Sequence, residues 1–162
     1  MRVSRIFLTA VISGISCMAI AREAGEPVVV MQATLSDFGA LRAMNTASAE
    51  ARKRGLKVSI AVVDADGHLL AFERVGNAFH ATIENAIVKA STAAQLGAVS
   101  AVLQKEVDGG KFSYLAILGL TPLQGGVPIM VSGKVVGGIA SSGAAPEMDE
   151  LIASVGAKGL HD

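Results

Sequence analysis

The sequence predicts an α+β domain: an antiparallel sheet of about five strands with helices packed on its faces. Three observations predict it. Residues 58–74 and 127–141 each read as a β-hairpin, two apolar β-branched runs joined by turn residues. Segments with apolar residues at helical spacing lie before, between and after those hairpins. The core has to be built from Ala, Val, Ile, Leu and Gly, because 51% of the chain is hydrophobic but only 4% is aromatic, with no Trp. Hairpins imply antiparallel pairing, and helices then cover the faces of the sheet. With 162 residues the chain is long enough for one such domain, which at this size buries roughly 68–70% of its unfolded surface and needs no disulfide.

Taken in order, residues 1–21 read as a secretory signal peptide. Arg2 and Arg5 form the basic start, residues 6–20 are uncharged and mostly apolar, and Ala19-Ile20-Ala21 is an A-x-A cleavage site. The apolar run falls short of the roughly 20 residues of a membrane span. An anchor helix is the alternative. A lipoprotein reading at Cys17 meets Gly14 where Leu is the usual residue. Cleavage removes Cys17, the single cysteine, and leaves the acids two ahead of the bases. That implies a periplasmic or secreted protein without thiol chemistry. Residues 22–33 are a spacer, within which 28–31 suggest a short strand, and the domain is expected over 34–162.

Thr34 and Asp37 have the spacing of a capping box, so a helix is expected from Thr34, with Leu35, Phe38, Leu41 and Ala49 on one face. Arg52-Lys53-Arg54 and Gly55 suit its C-terminal end. Residues 58–63 and 69–74 are strands around the turn Asp64-Ala65-Asp66-Gly67. Residues 81–96 carry a helical pattern through Ile83, Ile87, Ala90 and Ala94, closed by Gly97. Residues 98–107 make a shorter helix or turn. The apolar run 115–120 predicts a fifth strand. Residues 127–132 and 135–141 form the second hairpin, and a last helix starts at Pro146, with Glu147, Asp149 and Glu150 near its positive end.

Four stretches in this order resemble the GlcG/HbpS family of haem-binding proteins, to which the C-terminal domain of PduO-type corrinoid adenosyltransferases is related. They are residues 58–69 leading into Phe72-Glu73-Arg74; Lys89-Ala90-Ser91-Thr92-Ala93-Ala94; Gly125-Gly126-Val127-Pro128-Ile129; and Val135-Val136-Gly137-Gly138-Ile139, followed by Ser142-Gly143-Ala144 and Pro146-Glu147 with Asp149. The resemblance covers roughly residues 34–160. It implies a profilin-like fold that forms homo-oligomers. Its members include secreted haem binders, proteins encoded beside glycolate or diol metabolism, and small-aromatic lyases acting on hydroxylaminobenzoate. Two departures stand out. Val75-Gly76-Asn77-Ala78 replaces a run that usually carries an acid, and Ala140-Ser141 stands where Gly and an apolar residue are usual.

Equal numbers of basic and acidic residues, 14 each, give no electrostatic footprint for nucleic acid. Haem needs an apolar slot and usually an axial His, Met, Tyr or Cys. His80, just before a helix, is the candidate for haem iron, set against a solvated helix-start histidine. His68 begins a hairpin strand, His161 is penultimate, and Tyr114 is the only tyrosine. No two histidines have metal-ligand spacing, so a structural zinc is not expected. Gly125, Gly126, Ser142 and Gly143 belong to glycine loops where a ligand can approach the backbone, or where turns simply pack. The loop before Pro146 can also present N–H groups to a carboxylate. Arg74 can clamp a carboxylate and Glu84 can act as acid or base; the two can equally be a surface ion pair. Lys89 joins Arg74 and Glu84 among the catalytic candidates on its match to the family. The expected function is an exported small-ligand-binding protein for haem or a related tetrapyrrole. The alternatives are a small-aromatic lyase and a non-catalytic oligomeric accessory protein.

Overall fold

The computed structural model describes residues 28–160. The stretch expected to be a signal peptide, with Cys17, and His161 lie outside the described residues. The chain divides into a segment ending at Met31 and a unit beginning at Gln32. Of the first, residues 28–31 carry no strand, so the short strand expected there does not form.

The second unit holds ten elements: α1 (Asp37–Lys53), β1 (Ser59–Asp64), β2 (Leu69–Arg74), a 3-10 turn (Val75–Asn77), α2 (Ala81–Leu96), α3 (Ala101–Asp108), a second 3-10 turn (Phe112–Ala116), β3 (Gly126–Val131), β4 (Lys134–Ser142) and α4 (Pro146–Lys158). Both hairpins form as expected. They join into one antiparallel sheet through β1 and β4, in the order β2-β1-β4-β3. Among the described residues the sheet has four strands, one fewer than expected. The run 115–120 is the difference: its first residues complete the second 3-10 turn, and Gly119 adopts φ 80°, which breaks an extended path. Its apolar side chains also lack a buried face to alternate toward, and Leu118 is 95% exposed.

Three layers result. On one face α1 and α4 cover Ile60, Val62, Ala71, Ile129, Val136 and Ile139. On the other, Ala86, Ala90 and Ala94 of α2 cover Ala61, Val63 and Ala140. Each fully buried Ile or Val contributes about 1.5–3 kcal/mol. The α2 layer is thin because its contacts are small. A Cβ at Gly126 would lie 2.2 Å from the Lys89 carbonyl oxygen, and one at Gly138 would lie 2.3 Å from that of Ala90. Helix and sheet approach to a distance that excludes even alanine.

α1 starts later and buries a different face than its hydropathy suggests. Its cap is Ser36, whose Oγ accepts from Gly39 N at 3.2 Å. Thr34 instead accepts from Ala65 N, and Leu35 N donates to the Val136 carbonyl at 2.7 Å. That tether keeps the chain extended to Leu35. The buried face consists of Ala40, Ala43, Met44, Ala47, Ser48 and Ala51, while Phe38 is 73% exposed. The reason is again proximity: a Cβ at Gly156 in α4 would stand 2.9 Å from the Ala43 carbonyl oxygen. Glu73, on the same face of β2, accepts from the buried Ser48 and from Arg52, so one cation of the α1 end serves the sheet. No single helix among the described residues is long and apolar enough to cross a membrane.

Candidate functional site

Strand register brings the predicted residues to one end of the sheet. Ser59 opens β1 and stands opposite both Arg74 of β2 and Ser142 of β4. Gly143 follows Ser142, and the Gly125 carbonyl accepts from Ser141 N, so the glycine loops lie along the same end. α2 starts there too. Thr82 Oγ1 shares a 2.7 Å hydrogen bond with Ser59 Oγ and donates to the Phe79 carbonyl at 2.6 Å. The end thus divides into a closed part under β4 and an open part beside β2.

The closed part is built on Lys89 and Asp149. Lys89 is 5% exposed and Asp149 is 2% exposed. Lys89 Nζ donates to Asp149 Oδ2 and to the Ser141 carbonyl, both at 3.2 Å. Asp149 also accepts from Ser141 Oγ at 3.1 Å, Gly143 N at 3.3 Å and Ala144 N at 3.2 Å. Taking charges out of water costs several kcal/mol per ion, so pairing and full hydrogen bonding are what make this burial tolerable. The loop that was expected to offer N–H groups to an external carboxylate therefore holds an internal one. Asp149 reads in the sequence as a dipole-complementing acid; its position in the first turn of α4 lets it reach back to the loop before the helix.

Gly125 and Gly126 belong to this closed part. A Cβ at Gly125 would meet Lys89 Nζ at 2.9 Å and the Ser141 carbonyl oxygen at 2.8 Å. Gly126 N donates to Ser100 Oγ, Ser100 N donates to the Gly126 carbonyl, and Ser100 Oγ donates to the Leu123 carbonyl. Ser142 is buried. Gly143 is exposed, but a Cβ there would press on the Lys57 carbonyl oxygen at 2.6 Å. These glycines let elements pack together.

The open part contains Arg74, His80 and Glu84, all exposed. His80 precedes α2 in helical conformation and makes no capping bond. None of the three side chains has a hydrogen-bond or ion-pair partner among the described residues. The expected alternative of an Arg74–Glu84 surface pair is not formed. Arg74 is thus a free guanidinium, able to take a carboxylate bidentately.

The remaining candidates lie elsewhere. His68 Nδ1 is 3.5 Å from Asp64 Oδ2 at the first hairpin turn, and exposed Asp66 completes, with the half-buried Asp64, a cluster of potential ligand atoms within 4.8 Å. Asp64 Oδ1 already accepts from the backbone N–H groups of Asp66 and His68, which is the work of a turn aspartate. Tyr114 sits half-buried in the second 3-10 turn. Nearby Lys111 is held above the ordinary lysine range by its hydrogen bond to the Glu106 carboxylate.

A four-stranded antiparallel sheet with α2 on one face and α1 and α4 on the other, sealed at one end by the Lys89–Asp149 network and carrying exposed Arg74 and His80 at that end, defines a small α+β domain. The chain belongs to the family described as haem degrading protein HbpS-like, whose model matches residues 35–158. It is 36% identical over 93 residues to Protein GlcG of Escherichia coli, covering 57% of this chain and 69% of that one. The fold is similar to a crystal structure of a double mutant of Streptomyces reticuli HbpS, with TM-score 0.74, 32% identity and coverage of 85% of this chain and 93% of that one. It is also similar to the crystal structure of a PduOC:heme complex, with TM-score 0.70, 25% identity and coverage of 78% and 94%.

Proposed function

We propose that this chain is an exported binding protein for haem or a related tetrapyrrole, working as a homo-oligomer, with Arg74 and His80 as its polar contacts to the ligand. The observation that carries the reading is an exposed guanidinium at the end of β2 and an exposed imidazole at the start of α2, each side chain without a partner among the described residues and both at the same end of the sheet. Membership in the HbpS-like family and similarity to a domain solved with haem support it. The residues fit the group. An imidazole can ligate iron, a guanidinium suits a propionate, and exposed apolar side chains such as Phe79 stand beside them. Bound haem supplies an iron centre with an open chemistry set by its axial ligand; the chain's part is to hold the imidazole, the cation and the apolar contacts in place. Gly143 and Gly125 support the site from behind at the Lys89–Asp149 network, Ser142 through its register with Ser59, and Gly126 through its seat against the Lys89 carbonyl.

Titration of the purified chain with haemin tests the reading. A saturable Soret shift that His80→Ala abolishes supports ligation by His80. No shift at micromolar protein overturns it. Export predicts a mature N-terminus after Ala21, read by N-terminal sequencing of protein from the periplasm or medium, and light scattering reports the assembly. One observation favours a second reading: Glu84 is exposed and unpartnered in the first turn of α2. A lyase would set a carboxylated ring against Arg74 with Glu84 as acid or base. Turnover of hydroxylaminobenzoate that Glu84→Gln removes would favour it. Lys89 would first have to leave a buried ion pair to take part.

A further inference from the structure

α2 packs over β1, β4 and β3, but the sheet continues one strand farther. β2 therefore presents a strip on the α2 side that the helix does not cover. Register identifies its residues. Arg74 is opposite Ser59, which bonds to Thr82 of α2. Phe72 is opposite Ala61, which packs under α2. A β-bulge at Leu70 brings Leu69 opposite Val63, again under α2. The alternate residues Ala71 and Glu73 face α1 instead. Leu69 is 47% exposed and Phe72 is 36% exposed, so the strip is apolar and open.

The neighbouring flank of α2 forms the wall. A Cβ at Gly67, in the turn of this hairpin, would meet Ser91 Oγ at 2.4 Å and Gln95 Nε2 at 3.2 Å, so that flank of the helix faces the β1–β2 hairpin. Stepping back along it by three or four residues reaches Ile87, then Ile83 and Glu84, then His80. Ile83 and Ile87 are half-buried, and Ile87 packs on the Ala61 cluster. The result is an open corner with Leu69 and Phe72 as floor, Ile83 and Ile87 as wall, and Arg74 and His80 at one end. Lys57, with no ion-pair partner among the described residues, stands at that end as well, where its Cγ would lie 3.1 Å from a Cβ at Gly76. Glu84 is the one carboxylate on this flank.

We infer that this corner between β2 and α2 is the binding site for a flat, conjugated ring carrying carboxylates on one edge, with the ring on Phe72, Leu69 and Ile87 and the carboxylate on Arg74. The inference rests on the ligand class proposed above and assigns it a surface. Charge distribution selects the occupant. The floor is apolar, while the cations gather at one end without partners, which suits a ring with an acidic edge.

The test uses the full chain, two probes and three variants. The probes are haemin and anilinonaphthalene sulfonate, a conjugated anion unrelated to haem. Phe72→Glu puts a carboxylate on the floor. Arg74→Gln leaves the floor intact and, being at an exposed side chain, spares the fold. Leu118→Glu, on the loop before β3, is the control. The expected result is a rise in Kd of about tenfold or more for both probes with Phe72→Glu and with Arg74→Gln, no change with Leu118→Glu, and unchanged far-ultraviolet circular dichroism throughout. Haemin binding that neither Phe72→Glu nor Arg74→Gln alters would overturn the corner and leave the haem reading standing. No haemin binding, with sulfonate binding that both variants weaken, would support the corner and remove haem as its occupant. Loss of assembly in Phe72→Glu with ligand affinity unchanged would make the strip a subunit interface and overturn the inference.

Discussion

Replacing Asp149 with alanine removes the acceptor of four hydrogen bonds and strands the Lys89 ammonium, which is otherwise held only by the Ser141 carbonyl. Breaking a buried pair from one side costs about 3–5 kcal/mol, because the surviving charge is left uncompensated. Lys89→Met is the gentler cut. Methionine retains most of the apolar stem and removes only the charged end that lies over Gly125, and Asp149 keeps the donors Ser141 Oγ, Gly143 N and Ala144 N. A carboxylate with that many donors is well held without a cation, so the expected cost is about 1–3 kcal/mol. At about 3–4 °C per kcal/mol for a domain of this size, Asp149→Ala should lower Tm by about 10–20 °C. The double variant should cost at least about 1 kcal/mol less than the sum of the singles, because it removes both charges together. Urea unfolding followed by circular dichroism, with coincident transitions checked by a second probe, gives all three values. The reasoning fails if Lys89→Met costs as much as Asp149→Ala, or if the two effects are additive.

Further outcomes follow from the packing. Gly126→Ala should destabilise by at least about 1–3 kcal/mol, since its Cβ meets a helix carbonyl oxygen at 2.2 Å; Gly133→Ala, with nothing within 4 Å, should cost only the roughly 1 kcal/mol of its left-handed backbone, and urea midpoints rank the two. Ser36→Ala should cost about 1 kcal/mol, because Gly39 N loses its acceptor, whereas Thr34→Ala should leave the α1 cap intact; hydrogen exchange at Gly39 separates them. Glu73→Gln should cost about 1–2 kcal/mol by weakening the links to Ser48 and Arg52 of α1, and the difference should shrink in high salt only to the extent that Arg52 contributes.

The hairpins and α2 were legible because their signals are local. Asp64 and Gly67 close one turn and Gly133 the other, and Gly97 takes the left-handed cap that ends α2. What escaped depended on distance between elements. Phe38 and Leu41 look like core and are exposed, because α4 approaches α1 too closely for large side chains and the interface is left to Ala40, Ala43 and Ala47. Residues 115–120 look like a strand by composition, yet nothing in a linear pattern says whether a sheet edge will accept them. The site shows the same division. Arg74 and His80 were legible as polar residues at element ends. Phe72 and Leu69 were not, since two alternating positions of an ordinary strand become a surface only when the covering helix stops one strand short.

That stopping point is itself set by side-chain size. The glycines and alanines that draw α2 down onto β1, β4 and β3 leave no room for a ligand beneath it: Gly126 and Gly138 touch its carbonyls, and Lys89 fills the space over Gly125 with a charge already paired. The same tight seat fixes the lateral position of α2, so its Ile83 and Ile87 flank stands beside β2 at a height defined by backbone contact rather than by flexible side chains. A corner whose floor and wall are locked in this way is preorganised, and preorganisation lowers the ordering cost of binding. Loosening the seat with Asp149→Ala should therefore weaken ligand binding as well as stability, although Asp149 never meets the ligand. Stability and affinity should fall together across the Lys89 and Asp149 variants, whereas Arg74→Gln should lower affinity alone.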